Sequence, residues 1–278
     1  MKEIFDKVSI HCSRITTHAY STSFSLGIKC LAPQLRDPIY AIYGFVRFAD
    51  EIVDTFHDFD KKDLLSRFKH DTYSAIKDGI SLNPILNSFQ AVYRTYKIEE
   101  DLVEQFLRSM EMDLTKINYD PDTFNKYVLG SAEVVGLMCL RVFCQGNANQ
   151  FDDLKPYAMR LGAAFQKINF LRDMKVDYLD MGRSYFPEVE MQNFNDQCKL
   201  KIEESIKKDF EEGFKGIRQL PRTSRLGVYV AYVYYLALYE KIRNTPSEAV
   251  LKSRISIWNG HKAGLLAYSY VKHRLHLI

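Results

Sequence analysis

Asp50 and Asp54 stand four residues apart, and so do Asp173 and Asp177. At the 100° per residue of an α-helix, Tyr43, Arg47, Asp50 and Asp54 fall within about 60° of one another, so one helical face carries a phenol, a guanidinium and two carboxylates. Gln166, Asn169, Asp173 and Asp177 form a second polar stripe, on a segment otherwise built from Leu161, Ala164, Phe165, Ile168, Phe170 and Leu171. Facing carboxylate pairs suit magnesium, a hard cation that takes oxygen ligands and bridges substrate phosphates more readily than it fills an all-protein cage. Manganese is the alternative ion. The natural partner of such a site is a diphosphate.

Spacing alone carries little weight. With 35 acidic residues in 278, about four acidic pairs four apart arise by chance, and most such pairs are solvated helix faces. A structural charge network is therefore the competing reading. Context favours the metal. Both stripes lie in strongly apolar helices, and their neighbours are Arg47, Gln166 and Asn169 instead of a lysine ladder. Buried carboxylates without a partner are costly, so they should meet a metal or another cation. A cleft between two such helices, walled by aromatic rings, would hold a diphosphate at its mouth and an apolar chain below.

The elements that must position these residues read as helices throughout. Apolar residues recur three and four apart over 3–20, 38–56, 61–78, 82–95, 99–113, 121–145, 152–180, 195–219, 222–243 and 247–275. Strand alternation is hard to find. Asp37-Pro38 and Asp120-Pro121 each place a capping side chain before a proline, which predicts helices opening at Pro38 and Pro121. Asn83-Pro84 and Leu220-Pro221 mark further breaks, because the residue before proline is pushed out of the helical region. Gly182 predicts a loop carrying Arg183, Ser184 and Tyr185. No repeat, low-complexity tract or Gly/Ser linker divides the chain, so one all-α domain over 1–278 is expected.

Composition agrees. Hydrophobic residues make up 46% of the chain, with 18 Tyr and 18 Phe against 13 Gly and 8 Pro, which means large apolar interiors and few turns. A net charge of +3 and the absence of any nucleic-acid-binding motif exclude nucleic acid as the expected partner. Cys12, Cys30, Cys139, Cys144 and Cys198 form no C-x-x-C pair and read as reduced thiols of a cytoplasmic protein. The amino-terminal residues lack a signal-peptide pattern, and the apolar run Leu226 to Leu238 is short for a bilayer crossing and reads as a core helix. A peripheral contact with a membrane is the most that is expected.

FVRFADEIVD (45–54) and QKINFLRDMKVDYLDMGRSYFP (166–187) resemble the two signature regions of the squalene/phytoene synthase family. STSFS (21–25) resembles that family's Ser-x-Ser-Phe diphosphate-binding turn, and the Tyr-rich helix around Tyr235, with Arg254 and Lys262, extends the likeness over nearly the whole chain. The resemblance implies an all-α isoprenoid synthase fold, helices around a central apolar cavity, and head-to-head joining of two prenyl diphosphates. Asp50, Asp54, Asn169, Asp173 and Asp177 would hold the metal. Ser21, Ser23, Arg47, Gln166, Asn169, Arg172, Arg254 and Lys262 would bind diphosphate, and Tyr43, Tyr127 and Tyr235 would steady the carbocation or donate to diphosphate.

The likeness has departures. Leu129 stands where relatives often carry Tyr, Glu133 where they often carry Gly, Glu51 in place of Asp, and Val176 in place of an acid. Among substrates, C20 geranylgeranyl diphosphate, giving phytoene without NADPH, is the expectation. C15 farnesyl diphosphate is the alternative, giving dehydrosqualene, or squalene with NADPH. A non-catalytic relative acting as an assembly or lipid-binding factor, and a terpene cyclase working on a single diphosphate, are the readings of other kinds.

Overall fold

A computed structural model describes residues 1–115, 119–177, 184–187 and 194–278. The chain is all-α, with no β-strand among the described residues. Its helices are α1 (Lys2–Tyr20), α2 (Thr22–Lys29), α3 (Pro33–Asp54), α4 (Lys61–Asp78), α5 (Pro84–Tyr96), α6 (Glu100–Asp113) and α7 (Pro121–Val128). A π-helical turn, Leu129–Glu133, joins α7 to α8 (Val134–Cys144), and α9 (Ala148–Lys175), α10 (Asp196–Gln219), α11 (Arg222–Arg243), α12 (Ser247–Val250) and α13 (Asn259–Arg274) follow.

Local chemistry explains most boundaries. Asp120 accepts from the Thr123 amide at 2.8 Å, and Asn83 accepts from Ile85 and Leu86, so both capped prolines open helices. The expected start at Pro38 is corrected to Pro33. Pro38 lies inside α3, and the Asp37 carboxylate meets Arg14 of α1 at 2.5 Å instead of capping. Pro33 serves equally well as a first helical residue, and the tertiary ion pair removes Asp37 from the capping role. Likewise α9 opens at Ala148, capped by Asn147, and runs through Pro156.

Two further readings are revised. STSFS is not a bare turn but the start of an eight-residue helix, α2, which periodicity cannot resolve at that length. The expected single helix over 247–275 is two helices separated by an extended stretch, in which Ile255 and Ile257 are buried and Ser256 between them is exposed. Gly182 and Arg183 lie outside the described residues; Tyr185 is buried.

The core is aromatic. Phe45 of α3 stacks on Phe89 of α5 at 3.9 Å between centroids and meets Phe106 of α6 at 5.3 Å. This cluster extends through α4 and α8, and a second one gathers α7, α9, α10 and α11. Helix α1 packs through Ser9, Ser13, Thr16 and Thr17, all buried; Ser13 bonds Ser88 at 2.7 Å. The run Pro121–Cys144 is, among the described residues, the one helical stretch long and apolar enough to cross a membrane by length and composition. Here its apolar surface is shared among both core clusters and the cavity described next.

Candidate active site

An apolar cavity of about 300 Å³ runs between α2, α3, α8, α9, α10 and α11. Helices α8 and α9 pack antiparallel through small residues. A Cβ added to Gly162 would lie 2.8 Å from the Ala132 carbonyl oxygen, and one on Gly136 3.2 Å from that of Ala158. The backbones therefore touch, and the wall between them is thin and smooth. Gln166 donates to Ser131 at 3.3 Å, which fixes both residues at one end of the cavity. Ser131 and Phe143 both line the cavity, twelve residues apart, so the helical wall between them is about 18 Å long at roughly 1.5 Å per residue.

The end near Gln166 and Ser131 is polar. Tyr235 donates to Asn169 Oδ1 at 3.2 Å, Asn169 donates to Gln166 at 3.4 Å, and Ser131 donates to the Tyr127 carbonyl at 2.7 Å. The Tyr235 ring stacks on Phe165 at 4.0 Å, and Phe24 sits 5.8 Å from Tyr43 and 6.1 Å from Tyr235. All four rings line the cavity, and aromatic walls of this kind can steady a cation without offering it a nucleophile. Burial pushes the Tyr43 phenol up to about 12 despite the nearby Arg47 guanidinium. Burial also raises Tyr235, with Arg172 acting against it. Both phenols stay protonated and can donate.

The acidic pairs stand beyond this polar end, continuing the same helix faces outward. Arg47 donates to Asp50 at 2.6 Å and pairs with Glu51, with its guanidinium 4.3 Å over the Tyr20 ring. Asp173 accepts from Arg172 Nε at 3.0 Å and from Arg254 Nε at 2.7 Å. Burial works against the Arg172 cation, but its bonds to Asp173 outweigh that and hold its pKa above the ordinary value. Asp54 closes α3 and Asp177 lies just beyond α9, each half-buried. Lys262 of α13 donates to Thr22 at 2.9 Å and lies 5.3 Å over Tyr234. Ser21 caps α2 by accepting from the Phe24 amide at 3.1 Å, and Ser23 sits half-buried in the first turn.

The donor set tests the metal. Among the described residues no three His, Cys, Asp or Glu side chains converge as a ready-made cage. Carboxylates instead come two to a helix, each rim clasped by arginine. That suits an ion held by one or two carboxylates together with phosphate oxygens, and the oxygen-only donors suit magnesium. Arg47 Nε is buried without an acceptor among the described residues, so this rim is not saturated by the protein alone.

Tyr127 is set apart from the other expected site residues. It is buried in the second aromatic cluster, donating to Asp113 at 2.7 Å and stacked beside Tyr185 at 5.3 Å, and it does not line the cavity. Phe24, Phe165 and Ser131 line the polar end without having been singled out as individual site residues. Phe24 belongs to the STSFS segment beside Ser23, and Phe165 immediately precedes Gln166, so the sequence signal for each is its neighbour.

Helices wrapped about an apolar tunnel, with arginine-clasped carboxylates outside its polar end, form an isoprenoid synthase fold. A solved dehydrosqualene synthase superposes with a TM-score of 0.82 over 97% of this chain and 98% of its own, at 19% identity. The chain belongs to the squalene/phytoene synthase family, whose sequence model matches residues 17–260. Members of that family are prenyltransferases. The presqualene diphosphate synthase of Zymomonas mobilis is 28% identical over 257 residues, covering 91% of this chain and 82% of that one. Tomato (Solanum lycopersicum) phytoene synthase 1 is 24% identical over 261 residues, covering 87% of this chain; the chain spans 62% of that relative's length.

Proposed function

We propose that this chain condenses two geranylgeranyl diphosphates head to head into phytoene, through prephytoene diphosphate, in carotenoid biosynthesis. The observation that carries the choice of chain length is the depth of the tunnel. C–C bonds of about 1.5 Å advance a zigzag chain roughly 1.25 Å each, so the 16-carbon backbone of a geranylgeranyl group spans about 19 Å and the 12-carbon backbone of farnesyl about 14 Å. The wall from Ser131 to Phe143 is about 18 Å long and matches the longer chain.

Asp50, Asp54, Asn169, Asp173 and Asp177 would hold magnesium, with manganese as substitute. Bound there, the ion supplies charge neutralisation to a departing diphosphate. Arg47, Arg172, Arg254 and Lys262 bind diphosphate oxygens, the arginines through forked donors, and Ser21 and Ser23 place the start of α2 beside them. In the first half-reaction one diphosphate leaves with the C–O electron pair. The double bond of the second substrate attacks the resulting allylic carbon, and loss of a proton closes the cyclopropane. In the second, the remaining diphosphate leaves, the ring rearranges, and loss of another proton yields the conjugated triene. No hydride enters, so NADPH is not needed. The apolar walls exclude water, and Phe24, Tyr43, Phe165 and Tyr235 face the cationic carbons.

The bacterial presqualene diphosphate synthase relative favours the competing reading, farnesyl diphosphate as substrate. Retention of both Asp pairs with Gln166, Asn169 and Arg172 argues against a non-catalytic relative. Purified protein with magnesium is incubated with each diphosphate separately, with and without NADPH, and the hydrocarbons identified. Phytoene from the C20 substrate without NADPH is expected; C30 products alone would replace this reading with the farnesyl one.

A further inference from the structure

Helix α13 turns its more apolar side to solvent. At 100° per residue, Ala263, Gly264, Ala267, Tyr270, Val271 and Leu275 fall within an arc of about 140°. All six are exposed, Tyr270, Val271 and Leu275 by 47%, 54% and 63%. The inward side carries Lys262, Leu265, Leu266, Ser269 and His273, of which only Ser269 is fully buried. A helix of a globular protein normally shows the reverse order, with its apolar stripe on the core. Just ahead of the helix, Trp258 is 73% exposed.

The segment that builds this face is basic, although its Lys252 and Arg254 pair with Glu248 and Asp173. Residues 249–278 contain no Asp or Glu, yet hold Lys252, Arg254, Lys262, Lys272 and Arg274. Lys272 and Arg274 lie 4.9 Å and 5.3 Å over the rings of Tyr268 and Tyr270; Lys272 flanks the apolar arc, and Arg274, at the last residue of the helix, stands within it. Trp and Tyr next to lysine and arginine, around an exposed apolar arc, is the composition of a helix lying in a lipid interface. The same helix reaches the active site, since Lys262 in its first turns bonds Thr22 at the start of α2.

We propose that α13 docks the protein on an anionic lipid surface. Trp258, Tyr270, Val271 and Leu275 enter the headgroup layer while Lys272 and Arg274 meet lipid phosphates. Charge complementarity selects this occupant over a second copy of the chain, because a two-fold contact through α13 would press two acid-free basic faces together. The docking stands on the geometry of α13. It rests on the prenyl reading only for its purpose, which is to open the tunnel mouth toward a phase where the substrate and product chains dissolve.

The full chain is floated with vesicles of phosphatidylcholine alone and of phosphatidylcholine with an equal part of phosphatidylglycerol. Binding to the anionic vesicles alone, weakening as salt rises, is expected. Lys272→Gln and Arg274→Gln should each weaken it about fivefold, and Val271→Ser with Leu275→Ser at least about tenfold. All variants should keep the helical circular dichroism and the turnover on detergent-dispersed substrate. Loss of prenyl turnover in the unaltered protein would count against the proposed reaction and leave the flotation result untouched. No binding to anionic vesicles, or equal binding to neutral ones, overturns the docking. So does a lipid-free dimer in light scattering that Val271→Ser with Leu275→Ser returns to monomer.

Discussion

Arg254 donates Nε to Asp173 Oδ1 at 2.7 Å, joining residues 81 positions apart. Arg172 holds the other carboxylate oxygen, so Asp173 is shared between two cations that a diphosphate also attracts. Under the proposed reading, metal and diphosphate at the rim would draw the arginines onto phosphate oxygens. Arg254→Ala should therefore raise the KM for diphosphate substrate about 10- to 100-fold, the worth of a charge-assisted hydrogen bond, with a smaller effect on kcat. Asp173→Asn should cut kcat at least about 100-fold. Because the Arg254 side chain is 63% exposed, breaking the pair should shift Tm by no more than about 3 °C. Steady-state kinetics and thermal melts of both variants decide this.

Tyr235 orients Asn169 by donating to its Oδ1, which leaves the amide plane fixed beside Gln166. Tyr235→Phe keeps the ring stacked on Phe165 and removes only the hydroxyl. The magnesium concentration for half-maximal activity should rise about tenfold, as when a group supporting a metal ligand is lost. An unchanged magnesium titration would remove Asn169 from the metal assignment.

Glu133 closes the π-helical turn, and burial pushes its carboxyl up to about 7 from an ordinary 4.5, with the Arg160 cation acting against it. A raised carboxyl pKa means that the folded chain keeps a proton which the unfolded chain has released. The stabilisation is complete below about pH 4.5 and is lost as pH rises through 7. Thermal melts should show stability falling over that window. Glu133→Gln, neutral at every pH, should flatten the dependence and raise Tm at pH 8.

Gly162 packs against the Ala132 carbonyl, and its missing Cβ would lie 2.8 Å from that oxygen. The contact is backbone on backbone and cannot yield by turning a side chain. Gly162→Ala gains up to about 1 kcal/mol of helix propensity, yet the forced separation of α9 from the π-helical turn costs typically about 1–3 kcal/mol. The variant should be less stable in urea denaturation and should lose turnover on both C15 and C20 substrates, since the tunnel wall moves.

What could be read along the chain was what is local. Helical faces built by Asp50/Asp54 and Asp173/Asp177, and the caps at Asn83 and Asp120, depend on neighbours three or four residues away. The start of α3 was misplaced because two prolines compete, and the deciding contact, Asp37 with Arg14, lies between helices. The break before α13 does carry a local signal: Ile255 and Ile257 alternate with exposed Arg254, Ser256 and Trp258, a period of two and not of 3.6. The burial of Tyr127 against Asp113 has no local signature, because a tyrosine on an apolar helix reads the same whichever wall it faces.

Cys139 lines the tunnel wall eight residues beyond Ser131, about 12 Å below the polar end. Burial pushes its thiol up to about 12, so it remains protonated and acts as a small apolar surface. A phenylalanine there blocks the lower third of the tunnel. The shortened space no longer takes a 19 Å chain but nearly fits a 14 Å one. Excluding one five-carbon unit forfeits about 0.8 kcal/mol for each buried carbon, which is about 100- to 1000-fold in kcat/KM. Cys139→Phe should therefore lose that much with geranylgeranyl diphosphate and far less with farnesyl diphosphate, whereas Cys139→Ala should leave the ratio unchanged. An equal loss on both substrates would mean that the chain does not run along α8, and that the depth from Ser131 to Phe143 is not what measures it.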